Sequence, residues 1–203
     1  MKAGAHTARL LILAPLAIEA WALRRGVAVH RRTGEGRQAG IRVVRTGMGP
    51  NASRRAAERL SAVAYDDMSV VVAGFCGGLR RDIHTGDVVV ASEVRAEGET
   101  VDVPAGDALA EVLRSAGLTV HLGPVLSSEQ LAFGARRGQF AAGGCLGVDM
   151  ESYWLLRGHR GPVAVVRAVS DTAGERFLGG MLPFGWLRAY RSLVRIATAL
   201  LTA

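Results

Sequence analysis

The chain has 203 residues, 49% hydrophobic and 21% charged, a globular composition with enough apolar material for one substantial core, which excludes a disordered polymer. Its 25 Lys and Arg outnumber 18 Asp and Glu, a net charge of +7, yet the arginines fall in scattered pairs such as Arg54-Arg55 and Arg80-Arg81, so no nucleic-acid partner is expected. Two cysteines, Cys76 and Cys145, are too few for a secreted disulfide framework and lack metal-ligand spacing, which points to a reduced, cytoplasmic protein without a metal.

The apolar run from Leu10 to Leu23 is interrupted by Pro15 and Glu19 and is shorter than the ~20 residues a membrane span needs. It reads as a buried strand, "LLILA" (10 to 14), running into a helix. Further strands are expected at "IRVV" (41 to 44), "SVVVAG" (69 to 74), "DVVVAS" (87 to 92) and "VAVVRAVS" (163 to 170), several of them apolar on both faces. Helices are expected over 51 to 64, with Asn51 as cap, over 105 to 116, over 146 to 157, and over 186 to 201, where Leu187, Tyr190, Val194, Ala197 and Leu201 recur at helical spacing. The alternation defines an α/β chain, read as a single domain over residues 1 to 203 with no repeat or linker.

Two glycine-rich stretches follow strands. "TGMGPNA" (46 to 52) fits the loose dinucleotide fingerprint, but the acids Asp66 and Asp67 precede the next strand instead of ending it, where a ribose would be met. Its glycines can equally bring backbone amides to a ligand or make a tight turn. "GFCGGL" (74 to 79) reads as a turn in which Gly77 and Gly78 either bare the backbone to a ligand or simply reverse the chain. Cys76 reads as a small packed residue, with no activating group suggested nearby.

The acids carry more information. Asp149 and Glu151, in "LGVDMESYWLL" (146 to 156), interrupt an apolar run. Two residues apart, they point about 200° from one another on a helix, so one is expected at a segment start with Glu151 turned to a site and Asp149 capping or pairing elsewhere. Asp171 ends a strand, and Glu19 lies just beyond the first one. Three carboxylates near strand ends fit the ligand crevice of an open α/β sheet.

The set "TGMGPNAS", "GFCGGL", "VDMES" (148 to 152) and "VRAVSDTAG" (166 to 174), in this order and spacing, resembles the nucleoside phosphorylase and nucleosidase superfamily, in its purine nucleosidase branch. The resemblance covers roughly residues 9 to 201 and implies a three-layer α/β/α fold with a central mixed sheet. It implies that Glu151 holds the ribose hydroxyls, Met150 packs on the sugar, Asp171 protonates or hydrogen-bonds purine N7 with Ser170 orienting it, and Glu19 positions the attacking water. Phe75, Cys76 and Gly77 join them as substrate-binding residues, and no cofactor is implied. The chemistry suits the groups, because cleaving a ribosidic C–N bond creates an oxocarbenium-like sugar and a poor leaving group.

Superfamily phosphorylases carry an arginine on the strand entering the second glycine stretch. Val72 stands there, so water is the expected nucleophile, with Arg45 as the residue that can still recruit phosphate. The segment "LSSEQLAF" (126 to 133) departs from the adenine-nucleosidase pattern. In "FLGGMLPFGWLRAYRSLVRIATALL" (177 to 201), Phe177, Leu178, Met181, Leu182, Phe184 and Trp186 precede Arg188, Arg191 and Arg195, which suits a lipid-linked substrate and a peripheral membrane contact, or else an oligomer interface or a terminal core helix. The short form with this C-terminal part looks most like the hopanoid-associated nucleosidase, which releases adenine from adenosylhopane. The resemblance leaves methylthioadenosine/S-adenosylhomocysteine or futalosine hydrolysis and phosphorolysis as alternatives, and implies a homodimer or higher homo-oligomer. A noncatalytic nucleoside-binding protein is the reading from another class.

Overall fold

The computed structural model describes residues 9–33, 40–62, 68–96, 98–132, 134–172 and 182–201. Asp66, Asp67, Phe133, Phe177, Leu178 and Met181, and the side chains of Leu182 and Phe184, lie outside what is described. The strands are β1 (Arg9–Ala14), β2 (Gly40–Arg45), β3 (Ser69–Gly78), β4 (Val88–Ala96), β5 (Glu99–Asp102), β6 (Val120–Ser127), β7 (Gly147–Asp149) and β8 (Val163–Thr172). The helices are α1 (Ala17–Thr33), α2 (Pro50–Ser61), α3 (Gly106–Ser115), α4 (Ala135–Ala142), α5 (Ser152–Leu156) and α6 (Leu182–Ala199).

One mixed sheet runs β2-β1-β3-β7-β6-β4-β5. Strand β8 pairs parallel with β3 and antiparallel with β4, so β3, β7, β6, β4 and β8 close into a ring from which the other strands extend. Side-chain alternation divides the interior in two. Ile12, Val71, Ala73, Val166 and Ala168 meet buried residues of α1, α3 and α6, among them Leu23, Leu113 and Leu193. Leu11, Leu13, Val70, Val72, Val163, Val165 and Val169 meet Ala56 of α2 and Tyr153 to Leu156 of α5 on the other face. This is the expected α/β architecture with helices on both sides of a mixed sheet. Among the described residues no helix is long and apolar enough to cross a membrane.

The strands read from apolar runs all form, and β3, β4 and β8 run further than their apolar cores. Strands β5, β6 and β7 escape sequence reading. β5 is four mostly exposed residues, β6 carries Gly123 and Pro124, and β7 has three residues, too few for a period-two pattern. Residues 146 to 157 are not one helix, since β7 ends at Asp149 and α5 begins at Ser152. Asn51 does not cap α2. Gly49 holds that position at φ 81°, a left-handed backbone that favours glycine, and Pro50 opens the helix. "GFCGGL" is not a turn either. Gly77 and Gly78 continue β3, paired with β7 on one side and β8 on the other.

α1 and α6 cross closely at Gly26, where a Cβ would collide with the Val194 carbonyl and lie 2.7 Å from Ala197 Cβ. Gly26→Leu must separate the helices, and an equilibrium urea unfolding series should show a loss of about 1–3 kcal/mol.

Candidate active site

The site is organised around a charge inside the protein. Arg167, in the middle of β8, is fully buried. On the alternating pleat it shares a face with Val165 and Val169, toward α5. Its parallel partner on β3 is Gly74, and a Cβ on Gly74 would lie 2.6 Å from Arg167 Nη1 and 2.7 Å from Glu19 Oε1. The missing side chain at Gly74 is the room in which the guanidinium and the Glu19 carboxylate sit.

Arg167 Nε reaches Asp149 Oδ2 at 2.9 Å, and Nη1 lies 3.9 Å from Glu151 Oε2. Its Nη2 donates to Ser152 Oγ at 2.7 Å. Asp149 is saturated with donors. Its Oδ1 accepts from Ser127 Oγ at 2.6 Å, the Glu151 amide at 3.0 Å and the Ser152 amide at 3.2 Å, while Ser152 Oγ donates to Oδ2 at 2.5 Å. Asp149 therefore ties the start of α5 to Arg167, which is the capping or pairing role its spacing suggested. Glu151 turns the other way. Its Oε1 accepts the Gly49 amide at 2.9 Å, and Met150, half-buried beside it, approaches Gly49. The first glycine loop thus offers an amide to a protein carboxylate.

Glu19, in the first turn of α1, is buried and accepts the Leu16 amide at 2.6 Å and the Phe75 amide at 2.7 Å. Burial outweighs the pull of Arg167 and both amides and pushes its pKa up to about 7. Burial likewise raises Glu151 against the pull of Arg167, with Asp149 adding repulsion. Arg167 is held charged: burial works against it, but Asp149, Glu151 and Glu19 together raise its pKa. Three carboxylates around one guanidinium in a dry interior favour retention of a proton on the glutamate side.

Asp171 stands apart from this cluster, joined to it through β3. Cys76 pairs with Val169 and Gly77 with Asp171, so Ser170 is the extra residue of a bulge that re-aims Asp171. The Ser170 hydroxyl lies 2.8 Å from Asp171 Oδ1 and 3.2 Å from the Cys76 carbonyl, with one proton to serve the two acceptors. Arg137 of α4 forms an ion pair with Asp171, donates through Nε to the Ala132 carbonyl at 2.9 Å, and lies where a Cβ on Gly77 would be. The side chains of Phe75 and Cys76 belong to the two cores, and burial pushes the Cys76 thiol well up, away from nucleophile range. What these two residues present to the site is backbone, with Phe75 N–H already committed to Glu19. Val72 is fully buried, and Arg45 is exposed at the end of β2.

Sequence reasoning passed over Arg167 and Arg137. Arg167 did leave a signal: a lone cation in the strand "VAVVRAVS" must be paired if buried. Arg137 left none, since no residue of its short helix is fully buried and only Phe140 and Ala141 pack, partly buried, against the core.

The chain belongs to the phosphorylase superfamily, whose model matches residues 24–179. Comparison with curated protein sequences gives no match. Among solved structures, the fold is similar to the methylthioadenosine/S-adenosylhomocysteine nucleosidase of Campylobacter jejuni (TM-score 0.74, 14% identity, 97% of this chain and 100% of that one). It is also similar to a mutant of the Helicobacter pylori nucleosidase with 5′-methylthioadenosine in its active site (TM-score 0.72, 15% identity, 93% and 96%). The futalosine hydrolase of H. pylori matches equally well (TM-score 0.72, 17% identity, 96% and 96%). At these identities the likeness is one of fold.

Two measurements probe the buried cluster. Arg167→Met strands ionised carboxylates and should cost about 3–5 kcal/mol at pH 7.5, less near pH 5, where protonation relieves them, as read by urea unfolding at both pH values. For Glu19, a folded-state pKa above the unfolded one means the folded protein holds the proton more tightly. Its contribution is then full below pH 4.5 and lost as pH rises to about 7, about 3 kcal/mol in all. Glu19→Gln should flatten that part of the stability profile.

Proposed function

We propose that the protein is a purine nucleosidase that hydrolyses the N-ribosidic bond of an adenosyl compound, with adenosylhopane as the leading substrate. The observation that carries this reading is the buried Glu19 carboxylate, titrating at about 7 beside Glu151, with Asp171 two strand positions along β3 from the amide that holds Glu19. A base poised near neutrality suits water activation.

In this reading Glu151 accepts hydrogen bonds from the ribose hydroxyls and Met150 packs on the sugar. The water oxygen bonds to C1′ as the C1′–N9 bond breaks, the water's proton passes to Glu19, and the electron pair leaves with the base. Asp171, oriented by Ser170, takes up a proton from solvent once its pairing with Arg137 is broken and passes it to N7, which neutralises the departing base. The purine must first part Asp171 from Arg137. Phe75, Cys76 and Gly77 line the base with backbone. Glu19 remains coupled to Glu151 through Arg167, so charge developing on the sugar is met by a preorganised cluster. Val72, in place of the phosphorylases' arginine, favours water over phosphate. The apolar C-terminal part favours a lipid-linked nucleoside over methylthioadenosine, S-adenosylhomocysteine or futalosine.

The test is chromatography of the freed base from adenosylhopane in detergent, methylthioadenosine and S-adenosylhomocysteine, with and without phosphate. Adenine release without phosphate is expected, fastest from adenosylhopane. Release only with phosphate would make the protein a phosphorylase, and binding without release a nucleoside-binding protein. Asp171→Asn and Glu19→Gln should each lower kcat by about 10²–10⁴-fold with the fold retained, and the acid limb of kcat/KM should have its midpoint near the Glu19 pKa of about 7.

A further inference from the structure

The packing of α1 on α6 leaves an open groove of about 770 Å³ on the outer surface. Its apolar floor includes Ile18, Trp21 and Leu187, which are 41%, 56% and 43% exposed. Three exposed large hydrophobics on one patch are more than scattered surface residues supply. Arg25, Arg191 and Arg195 border the same groove. Arg25 lies 6.0 Å from the Trp21 ring, which itself meets Tyr190 at 5.4 Å between centroids. Arg195 donates to the carbonyls of Ala116 and Gly117, both at 2.9 Å, neutral partners that anchor the side chain and leave its charge. Neither helix contains an acid except Glu19, which is buried and bound to backbone amides.

An apolar strip with an exposed tryptophan, bordered by cations with no acid of their own helices to answer them, is complementary to an apolar interior beneath a negative surface. We propose that the α1–α6 groove docks the protein on anionic lipid bilayers, with Trp21 and Leu187 entering the headgroup boundary and Arg25, Arg191 and Arg195 facing lipid phosphates. A second copy on this face is disfavoured by the same charges, because two such grooves would set arginine against arginine. The inference concerns a surface outside the candidate site, and its test reads binding, so it stands or falls separately from the nucleosidase reading.

The full chain should co-sediment with phosphatidylcholine vesicles containing about 30% phosphatidylglycerol and not with phosphatidylcholine alone, and added salt should weaken the binding. Trp emission should shift to the blue on binding. Arg191→Glu, and separately Trp21→Ala or Leu187→Ser, should each weaken partitioning by about fivefold or more. The double variant Arg55→Glu/Arg59→Glu, on α2 of the opposite layer, should leave it within about twofold, which separates a docking face from general attraction of a basic protein. Circular dichroism checks that each variant is folded. No binding to anionic vesicles, or equal weakening by the α2 variant, overturns the proposal. So does a dimer that the groove variants dissociate while vesicle binding stays unchanged.

Discussion

A guanidinium inside a β-sheet costs several kcal/mol of lost hydration unless its surroundings replace water almost completely. Arg167 imposes that requirement on the protein. Asp149 supplies the opposing charge and Ser152 an acceptor, while Gly74 supplies the space. Ser127 reaches across from β6 to hold Asp149 and also accepts the Tyr153 amide at 2.9 Å, which fixes where α5 starts. The corner between β7 and α5, and so the direction in which Glu151 points, follows from satisfying one buried cation.

The same cation shapes the acids' electrostatics. Glu19 and Glu151 are both drawn toward ionisation by Arg167 and pushed away from it by burial, and burial prevails. Asp171, set beyond a bulge, is paired instead with the largely buried guanidinium of Arg137 from another helix. A single fold thereby holds carboxylates in two environments a few residues apart along β3, one dry and proton-retaining, the other ion-paired near the surface.

The helix that carries Glu19 has two different outer neighbours. Its inward residues Ala20, Leu23 and Val27 join the core with Leu193 and Ile196 of α6, while Ile18 and Trp21 remain on the groove. Packing of Trp186 against Phe75, 5.2 Å between ring centroids, links α6 to the strand whose amide holds Glu19. Core, site and outer groove therefore share α1, β3 and α6.

Apolar runs long enough to be buried on both faces made β1, β3, β4 and β8 legible in the sequence, and amphipathic spacing did the same for α2, α3 and α6, because burial itself writes those patterns. The order and spacing of the glycine and acidic motifs made the superfamily legible as well, and with it the candidates Glu19, Glu151 and Asp171. Tertiary structure alone decided the ring closure through β8, the three-residue β7 and the bulge at Ser170, since each depends on a partner strand distant in sequence. It also decided the partners. Nothing local to "VAVVRAVS" says that Gly74 lies opposite Arg167, and nothing local to "ARRGQF" says that Arg137 meets Asp171. Local sequence records which residues leave water, whereas a buried charge is satisfied by whatever the fold brings beside it.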